Sequence, residues 1–207
     1  MKLYQKLFAK FYDSFMHNFE RRLYKKRSHL LSNLEGQVIG VGEGTGINFQ
    51  FYPDEITVHA IEPSKPMLEK AVLKANGNSN IKFYNKGIND EELNNHFSDN
   101  SIDAIICTLV LCTIPDPEKA LENFKRWLKP TGKLIIMEHI HASKPVNKSL
   151  QNIVNPAWKL IGEGCHLNRN TDELIKEVGF LPIEDEYFHH TLRFYSGIFQ
   201  LPQNNIS

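Results

Sequence analysis

The chain has 207 residues, in which 24 Lys and Arg balance 24 Asp and Glu, so overall charge gives no reason to expect a nucleic acid partner. Hydrophobic residues make up 41% and aromatic residues 11% of the chain, as in ordinary globular proteins, and the length suits one domain with a substantial core. No apolar run is long enough to span a bilayer and the start lacks a signal-peptide pattern. We therefore expect a cytoplasmic protein.

The first segment, Met1–Leu31, has the pattern of an amphipathic helix. Basic residues such as Lys6, Lys10 and Lys25–Arg27 lie off its apolar stripe and are expected in solvent. One interpretation is a lid packed over the mouth of a site, and the other is a helix lying on an anionic membrane surface. The stripe is Leu3, Leu7, Phe8, Phe11, Phe15 and Phe19.

A predicted strand, Val38–Val41, runs directly into a turn with glycine at every second position, from Gly40 to Gly46. Glycine allows a sharp bend and leaves room for a ligand against the backbone. A second predicted strand, Thr57–Ile61, is followed by Glu62, whose carboxylate can accept hydrogen bonds from both hydroxyls of a ribose. A glycine turn followed by such an acid predicts a site for an adenosine-type cofactor.

The glycine spacing argues against a dinucleotide. The G-x-G-x-x-G fingerprint would need glycine at position 45, 47 or 49, where the chain has Thr45, Ile47 and Phe49. The observed G-x-G-x-G pattern resembles motif I of class I S-adenosylmethionine-dependent methyltransferases.

Alternating strands and helices continue after Glu62 and predict a doubly wound sheet with ligands at the carboxyl ends of its strands. After position 138 we expect one long helix interrupted at Asn155–Pro156, a helix capped by Thr171, and two closing strands. The predicted segments are strands at 81–84, 102–107, 133–138, 180–187 and 192–200, helices from Ser64, at 117–128, at 141–164 and at 171–178, and a turn at 129–132.

The predicted fold class is α/β: a Rossmann-like, doubly wound, seven-stranded and mostly parallel sheet with an antiparallel closing strand and an N-terminal helical lid. We expect one domain over 1–207, with the lid at 1–32, a cofactor-binding half at 33–140 and acceptor-side helices and closing strands at 141–207.

The three cysteines, Cys107, Cys112 and Cys165, form no C-x-x-C pair and are odd in number. This pattern argues against a zinc knuckle or a disulfide framework and suits a reducing compartment. We expect them to be small buried side chains, and we expect no metal site.

Longer motifs resemble the methyltransferase-like alkyl thiol S-methyltransferases of endoplasmic-reticulum and lipid-droplet membranes. More broadly the chain is similar to the ubiquinone/menaquinone C-methyltransferases and phospholipid N-methyltransferases, including their Y-D-x-x-M element. The matching segments are Tyr12–Met16, Gly46–Pro53, Cys107–Cys112, Met137–His139, Asn155–Trp158 and Gly164–Arg169. We expect no counterpart of that family's hydrophobic membrane anchor, because the N-terminal arm is too charged to span a bilayer.

Two positions depart from this family. Gly40 replaces an acid that helps to hold the ammonium group of the cofactor, and the neighbouring Glu43 is the candidate substitute. The acidic adenine-contact segment is also altered, so that Asn89 or Asp90 is assigned to the adenine.

The resemblance implies S-adenosylmethionine as cofactor, with S-adenosylhomocysteine as product. It places Gly42, Gly44 and Gly46 under the methionine moiety, Glu62 on the ribose, and 108–110 near the sulfonium. The full set of implied cofactor-binding residues is Gly40, Gly42, Glu43, Gly44, Gly46, Asn48, Glu62, Pro63, Met67, Asn89, Thr108, Leu109 and Val110.

On the acceptor side a base is needed if the acceptor is a thiol, because a thiol with a pKa of about 8.5 is only a few per cent ionised at neutral pH. The candidates for this catalytic role are His139, His141, His166 and Asp13. The candidate substrate-contact residues are Tyr12, Trp158 and Arg169. Methyl transfer by in-line displacement requires neither a metal nor a covalent enzyme intermediate.

The leading functional hypothesis is methyl transfer from S-adenosylmethionine to a small acceptor, with a thiol or sulfide favoured. A second hypothesis keeps the chemistry and takes a quinone or phospholipid at a membrane surface, reached through the N-terminal arm. A third is a non-catalytic module that binds S-adenosylmethionine. The expected partner is a small-molecule acceptor and no nucleic acid, and the sequence does not predict an oligomeric state.

Overall fold

The computed structural model describes residues 2–202; Met1, at the start of the predicted lid, and 203–207 lie outside the described residues. The strands form one seven-stranded sheet in the order β3-β2-β1-β4-β5-β7-β6. β1 to β5 are mutually parallel, and β7 pairs antiparallel with both β5 and β6. The strands are β1 Gln37–Val41, β2 Thr57–Ile61, β3 Ile81–Tyr84, β4 Ile102–Thr108, β5 Leu128–Ile140, β6 Leu181–His189 and β7 Arg193–Gln200. The predicted fold class is confirmed.

In the described part of the chain six α-helices flank the sheet, and a short 3₁₀ helix at Ile47–Phe51 follows the glycine turn. The helices are α1 Lys2–Leu31, α2 Lys65–Ala75, α3 Glu91–His96, α4 Pro117–Trp127, α5 Pro145–Ile161 and α6 Thr171–Glu177. Within residues 2–202, none of these helices is apolar over a length that would cross a membrane.

The central strands are rich in apolar residues, as expected of strands whose two faces are both covered. On β4, Ile105 and Cys107 pack into one core with residues of α4 and α6. Ala104 and Ile106, which point to the opposite face, pack into a second core with Leu23 of α1. The carboxyl-terminal half of α1 is therefore part of the core, and its amino-terminal half extends from this base.

The predicted boundaries were wrong at three places. The expected turn at 129–132 is part of β5, which enters the sheet at Leu128 and shifts register before pairing regularly with β4. α5 continues through Pro156 instead of breaking there. The N-cap residue of α6 is Asn170 and not Thr171, because Thr171 already lies in the helix and is buried.

Candidate functional site

The glycine turn after β1 is built from three residues in the left-handed region. Gly42, Gly44 and Gly46 have φ of 60°, 59° and 78°, a conformation that side chains with a Cβ disfavour. A Cβ on Gly42 would lie 2.2 Å from Val110 Cγ2, so the turn packs tightly against the residues after β4. A Cβ on Gly44 would meet nothing nearer than Met67 Cε at 3.8 Å, which leaves an open side on the turn.

Glu62 lies beside this turn, at the end of β2. Its two carboxylate oxygens accept hydrogen bonds from the backbone N–H groups of Gly44 (2.9 Å) and Ser64 (2.7 Å). Burial raises the pKa of Glu62, and these two hydrogen bonds oppose that shift. Each oxygen keeps a further lone pair, so the carboxylate is held in one orientation and can still accept hydrogen bonds from a ribose.

Glu43 lies where a side chain on Gly40 would be. A Cβ built on Gly40 would lie 1.7 Å from Glu43 Oε1. The Glu43 carboxyl accepts hydrogen bonds from Tyr52 Oη (2.5 Å) and Asn48 Nδ2 (3.4 Å). Burial raises its pKa to about 7, although Tyr52 and a nearby arginine oppose the shift. Glu43 therefore supplies an acid at the position where the related family has one on the strand.

That arginine is Arg27 of α1, which is 2% exposed. Its guanidinium donates to both carboxylate oxygens of Glu20, at 2.9 and 3.1 Å. It also donates to Asn48 Oδ1 at 2.5 Å and to Thr108 Oγ1 at 2.8 Å. The expectation that Arg27 belongs to a solvated basic face was wrong, because Arg27 is buried. Helix periodicity alone does not show that this turn of α1 contacts polar acceptors at the end of β4.

α1 also closes over the glycine turn near its amino-terminal end. Asp13 accepts a hydrogen bond from Thr45 Oγ1 at 2.5 Å and an ion-paired one from Lys70 Nζ at 3.0 Å. Burial raises the pKa of Asp13, but these two contacts outweigh it and the pKa is lowered. The structure thus uses Asp13 to hold α1 against the turn.

The residues after β4 are held by an acid on β5 that sequence reasoning left without a role. Glu138 is fully buried, and its Oε1 accepts hydrogen bonds from the backbone N–H groups of Val110 (2.7 Å) and Leu111 (2.9 Å). Leu109 has a φ of 59°, a strained conformation for a residue with a Cβ. Burial raises the pKa of Glu138 to about 7. The only sequence signal was the Met137–His139 match itself.

At the opposite side of the site, Asn89 suits the adenine better than Asp90. Asn89 donates from Nδ2 to the carbonyl of Asp116 at 2.8 Å, while its Oδ1 is buried without a partner among the described residues. The Asp90 carboxylate instead caps α3 by accepting from Glu92 N at 3.0 Å. Of the remaining implied cofactor residues, Met67 is buried and Pro63 is exposed.

Beyond the glycine turn, the ends of β4 and β5 and the loop between α5 and α6 bring together three side chains. His139 Nε2 lies 3.1 Å from Cys165 Sγ, which lies 3.6 Å from Cys112 Sγ. Their ligand-type atoms all lie within 4.8 Å of one another. The expectation that the cysteines are buried is confirmed. Their separations of 53 and 26 residues along the chain hid this cluster from an analysis of sequence spacing.

The contacts within the cluster lower the pKa of the Cys165 thiol. The hydrogen bond with Cys112 lowers the pKa of the Cys165 thiol most, and that with His139 adds to it against the effect of burial. Burial lowers the pKa of His139, but the contact with Cys165 outweighs it and the pKa is raised. The Trp158 indole nitrogen is buried without a hydrogen-bond partner among the described residues. Its N–H lowers the pKa of the nearby Cys165 thiol further.

The other acceptor-side candidates lie around this cluster. His141 is half-buried, and its Nε2 has no partner among residues 2–202. His166 is also half-buried, and burial lowers its pKa. Arg169 donates to the carbonyls of Leu111 and, at 2.7 Å, Ile114, so its guanidinium braces the loop after β4.

Tyr12 lies on α1 and is half-buried, and its ring packs against Phe8 at a centroid distance of 5.5 Å. Burial is the main cause of the raised pKa of its phenol, and the charge of Glu20 adds to it.

Comparison with known proteins adds a family to this geometry. A family model described as "Methyltransferase domain" matches residues 39–136. Thiol S-methyltransferase TMT1B of Rattus norvegicus is 33% identical over 177 residues, which cover 81% of this chain and 72% of the relative. Thiol S-methyltransferase TMT1A of Homo sapiens is 30% identical over 198 residues, covering 91% and 81%.

A solved structure supports the fold. The crystal structure of a putative S-adenosyl-L-methionine-dependent methyltransferase from Methanococcus maripaludis superposes with a TM-score of 0.65 at 19% identity, covering 99% of this chain and 96% of that one. At this identity the likeness concerns the arrangement of strands and helices.

Proposed function

The chain belongs to the S-adenosylmethionine-dependent methyltransferases, and we propose that it transfers the methyl group to the sulfur of a small thiol or of sulfide. The observation that carries the acceptor is the similarity to thiol S-methyltransferases over 81% and 91% of this chain. That coverage includes the acceptor side, where the polar groups at the ends of β4 and β5 lie.

The residues of the site suit the cofactor. Three left-handed glycines form a turn with an open side at Gly44, and Glu62 is oriented beside it with free lone pairs. Glu43 offers a buried acid for an ammonium group, and Asn89 offers an unpartnered oxygen for an exocyclic amine. When bound, S-adenosylmethionine supplies an electrophilic methyl carbon on a sulfonium.

The protein contributes position and exclusion of water. α1 covers the turn through Asp13 and Arg27, so the two reactants meet in a site without bulk solvent. Glu138 holds the backbone after β4 in a fixed conformation, which fixes one wall of that site. An acceptor thiol must lose its proton to react, and the polar side chains near the strand ends include His139, Cys112 and Cys165, with His141 beside them.

The test is release of S-adenosylhomocysteine from purified protein with 2-mercaptoethanol, ethanethiol and sodium sulfide. Ethanol and ethylene glycol are the matched acceptors without sulfur. We expect turnover with the sulfur compounds only. Absence of turnover above background with all three would contradict the thiol assignment, and turnover on a quinone or a phospholipid amine would replace it.

A specific surface favours the second candidate, in which the acceptor is a quinone or phospholipid and the protein lies on a membrane. α1 and α5 each expose an apolar stripe, and Tyr4 Oη donates to the carbonyl of Ile161 at 2.5 Å where the helices meet. Lysines such as Lys6 and Lys148 accompany these stripes and suit anionic headgroups. The exposed members are Leu3, Leu7, Phe11 and Phe15 of α1 and Val146, Leu150, Ile153 and Leu160 of α5.

This surface also bears on location, which we propose to be cytoplasmic with peripheral membrane contact. Flotation with vesicles of phosphatidylcholine and phosphatidylserine tests the contact. Phe15→Ser combined with Ile153→Ser should abolish it, since both side chains are 77% exposed. Leu73→Ser on α2, equally exposed at 78%, is the matched control. Equal flotation of all three proteins would count against the proposal.

A further inference from the structure

The cluster of Cys112, His139 and Cys165 has the composition and dimensions of a zinc site. Two thiolates and an imidazole are ligands that zinc prefers, and three protein ligands with one open position characterise catalytic zinc. With tetrahedral zinc and usual bond lengths, two sulfurs lie about 3.8 Å apart and a sulfur and a nitrogen about 3.6 Å apart. The observed separations are 3.6 Å between the sulfurs and 3.1 Å between His139 Nε2 and Cys165 Sγ, and all three ligand atoms lie within 4.8 Å of one another.

The surrounding backbone holds these ligands together before any metal binds. The N–H of His166 donates to the carbonyl of Cys112 at 2.9 Å, which ties the loop bearing Cys165 to the loop after β4. Arg169 donates to carbonyls on either side of Cys112, at Leu111 and Ile114. Ligands on rigid, braced segments are what a preorganised metal site requires.

His139 has no competing polar partner. Its Nδ1 is buried without a hydrogen-bond partner among the described residues, and its Nε2 contacts Cys165. Buried polar atoms are rarely left in this state without a ligand or an ordered solvent molecule. The imidazole is therefore free to bind a metal.

The cluster also lies close to the cofactor-binding turn. Cys112 follows two residues after Val110, and Val110 packs against Gly42 of that turn. His139 follows Glu138, whose carboxylate accepts hydrogen bonds from the backbone N–H groups of Val110 and Leu111. A ligand bound at the cluster would thus lie near the residues that pack against the turn.

We propose that Cys112, His139 and Cys165 bind one zinc ion whose fourth position takes the acceptor thiol as a thiolate. This inference rests on the proposed function, because it assigns that function's acceptor a binding site. The thiol R–SH binds zinc through sulfur and its proton passes to water. The sulfur electron pair then forms a bond to the methyl carbon, the carbon–sulfonium bond breaks, and its electron pair stays on the sulfur of S-adenosylhomocysteine. The neutral thioether R–S–CH₃ leaves the metal.

The test begins with the wild-type protein kept reduced, stripped with a chelator and titrated with zinc sulfate. We expect about one zinc per chain. Replacement of zinc by cobalt(II) should give the absorption of a tetrahedral cobalt thiolate, and addition of 2-mercaptoethanol should change that spectrum while ethylene glycol does not. Failure to bind zinc, or a cobalt spectrum unaffected by the thiol, would overturn the inference, and neither measurement depends on the folding of a variant.

Variants and turnover then separate the two proposals. Cys165→Ser should fail to bind zinc. Cys107→Ser, which replaces the buried cysteine outside the cluster, should still bind about one zinc per chain. Removing zinc should slow thiol methylation about 10- to 30-fold at pH 7, since only a few per cent of the free thiol is then ionised. Thiol turnover at an equal rate without zinc would overturn this inference and leave the proposed function intact. Zinc and thiol binding without turnover would support the site and contradict the proposed function.

Discussion

The carboxyl group of Glu43 occupies the space beside Gly40, so closely that a Cβ on Gly40 would lie 1.7 Å from Glu43 Oε1. Glu43 cannot easily move away, because Tyr52 and Asn48 hold its carboxyl by hydrogen bonds. Glycine at position 40 and glutamate at position 43 therefore belong together. Glu43 on the turn therefore supplies the acid that Gly40 on the strand does not.

The first prediction concerns this pair. Gly40→Ala should destabilise the protein by about 1–3 kcal/mol through overpacking. In a Glu43→Ala background the same substitution should cost much less, because the clashing carboxyl is gone. Urea unfolding of both single variants and the double variant measures the coupling. Additive free energies of unfolding would show that the two positions do not interact.

The second prediction concerns the ribose contact. Glu62→Ala should weaken binding of S-adenosylmethionine and S-adenosylhomocysteine by about 1–3 kcal/mol, since two hydrogen bonds to a charged acceptor are lost. Isothermal titration calorimetry measures the change, with the exposed Glu69→Ala on α2 as control. Unchanged affinity in a variant that still folds would remove Glu62 from the site.

The third prediction concerns stability against pH. The pKa of Glu138 is raised from 4.5 to about 7 in the folded protein, so between these values the native state binds more protons than the unfolded state. Folding thus favours the neutral carboxyl of Glu138. The stability that this preference contributes is fully present below about pH 4.5 and is lost as the pH rises through about 7.

Glu138→Gln removes the titrating group. Between pH 4.5 and pH 8 the unfolding free energy of the wild type should fall by up to about 3 kcal/mol relative to that of this variant. Urea unfolding at several pH values measures it, with the exposed Glu177→Gln as control. A difference that stays constant with pH would mean that Glu138 has an ordinary pKa in the folded state.

The fourth prediction concerns the closure of α1. Asp13 is 45% exposed, so Asp13→Asn should change the unfolding free energy by less than about 1 kcal/mol. Because the ion pair to Lys70 is lost and the hydrogen bond from Thr45 is weakened, amide exchange in the first half of α1 should nevertheless become faster. Hydrogen–deuterium exchange with mass spectrometry measures this, with Asp54→Asn as control. Equal exchange in all three proteins would show that Asp13 does not hold the helix.

The central strands and their parallel direction were predicted from the sequence, whereas their order in the sheet was not. Strands such as Ile102–Thr108 are apolar on both faces, which marks buried parallel strands, and each is followed by an amphipathic helix. Boundaries were less predictable where local signals competed with pairing. Lys129–Gly132 has the composition of a turn, yet β5 runs through it, because Leu128 pairs with Ile102 before it and Lys133 pairs with Ala104 after it.

For the site, the glycine turn and Glu62 were identified from sequence because each consists of a few consecutive residues at the end of one strand. Glu138 and Arg27 were not assigned roles. Their functions depend on partners far along the chain, Val110 and Leu111 for the first and Thr108 for the second.

The sequence by itself determined which strands are buried, where the backbone bends for a cofactor and which acid follows the second strand. These are properties of neighbouring residues, written in apolar periodicity and in the conformational freedom of glycine. Only the tertiary structure decided that Glu43 fills the space beside Gly40 and that Cys112, His139 and Cys165 meet. The physical reason is that Cys112 and His139 lie near the adjacent carboxyl ends of β4 and β5, and the loop that bears Cys165 is hydrogen-bonded to the loop after β4, whatever the length of chain between them.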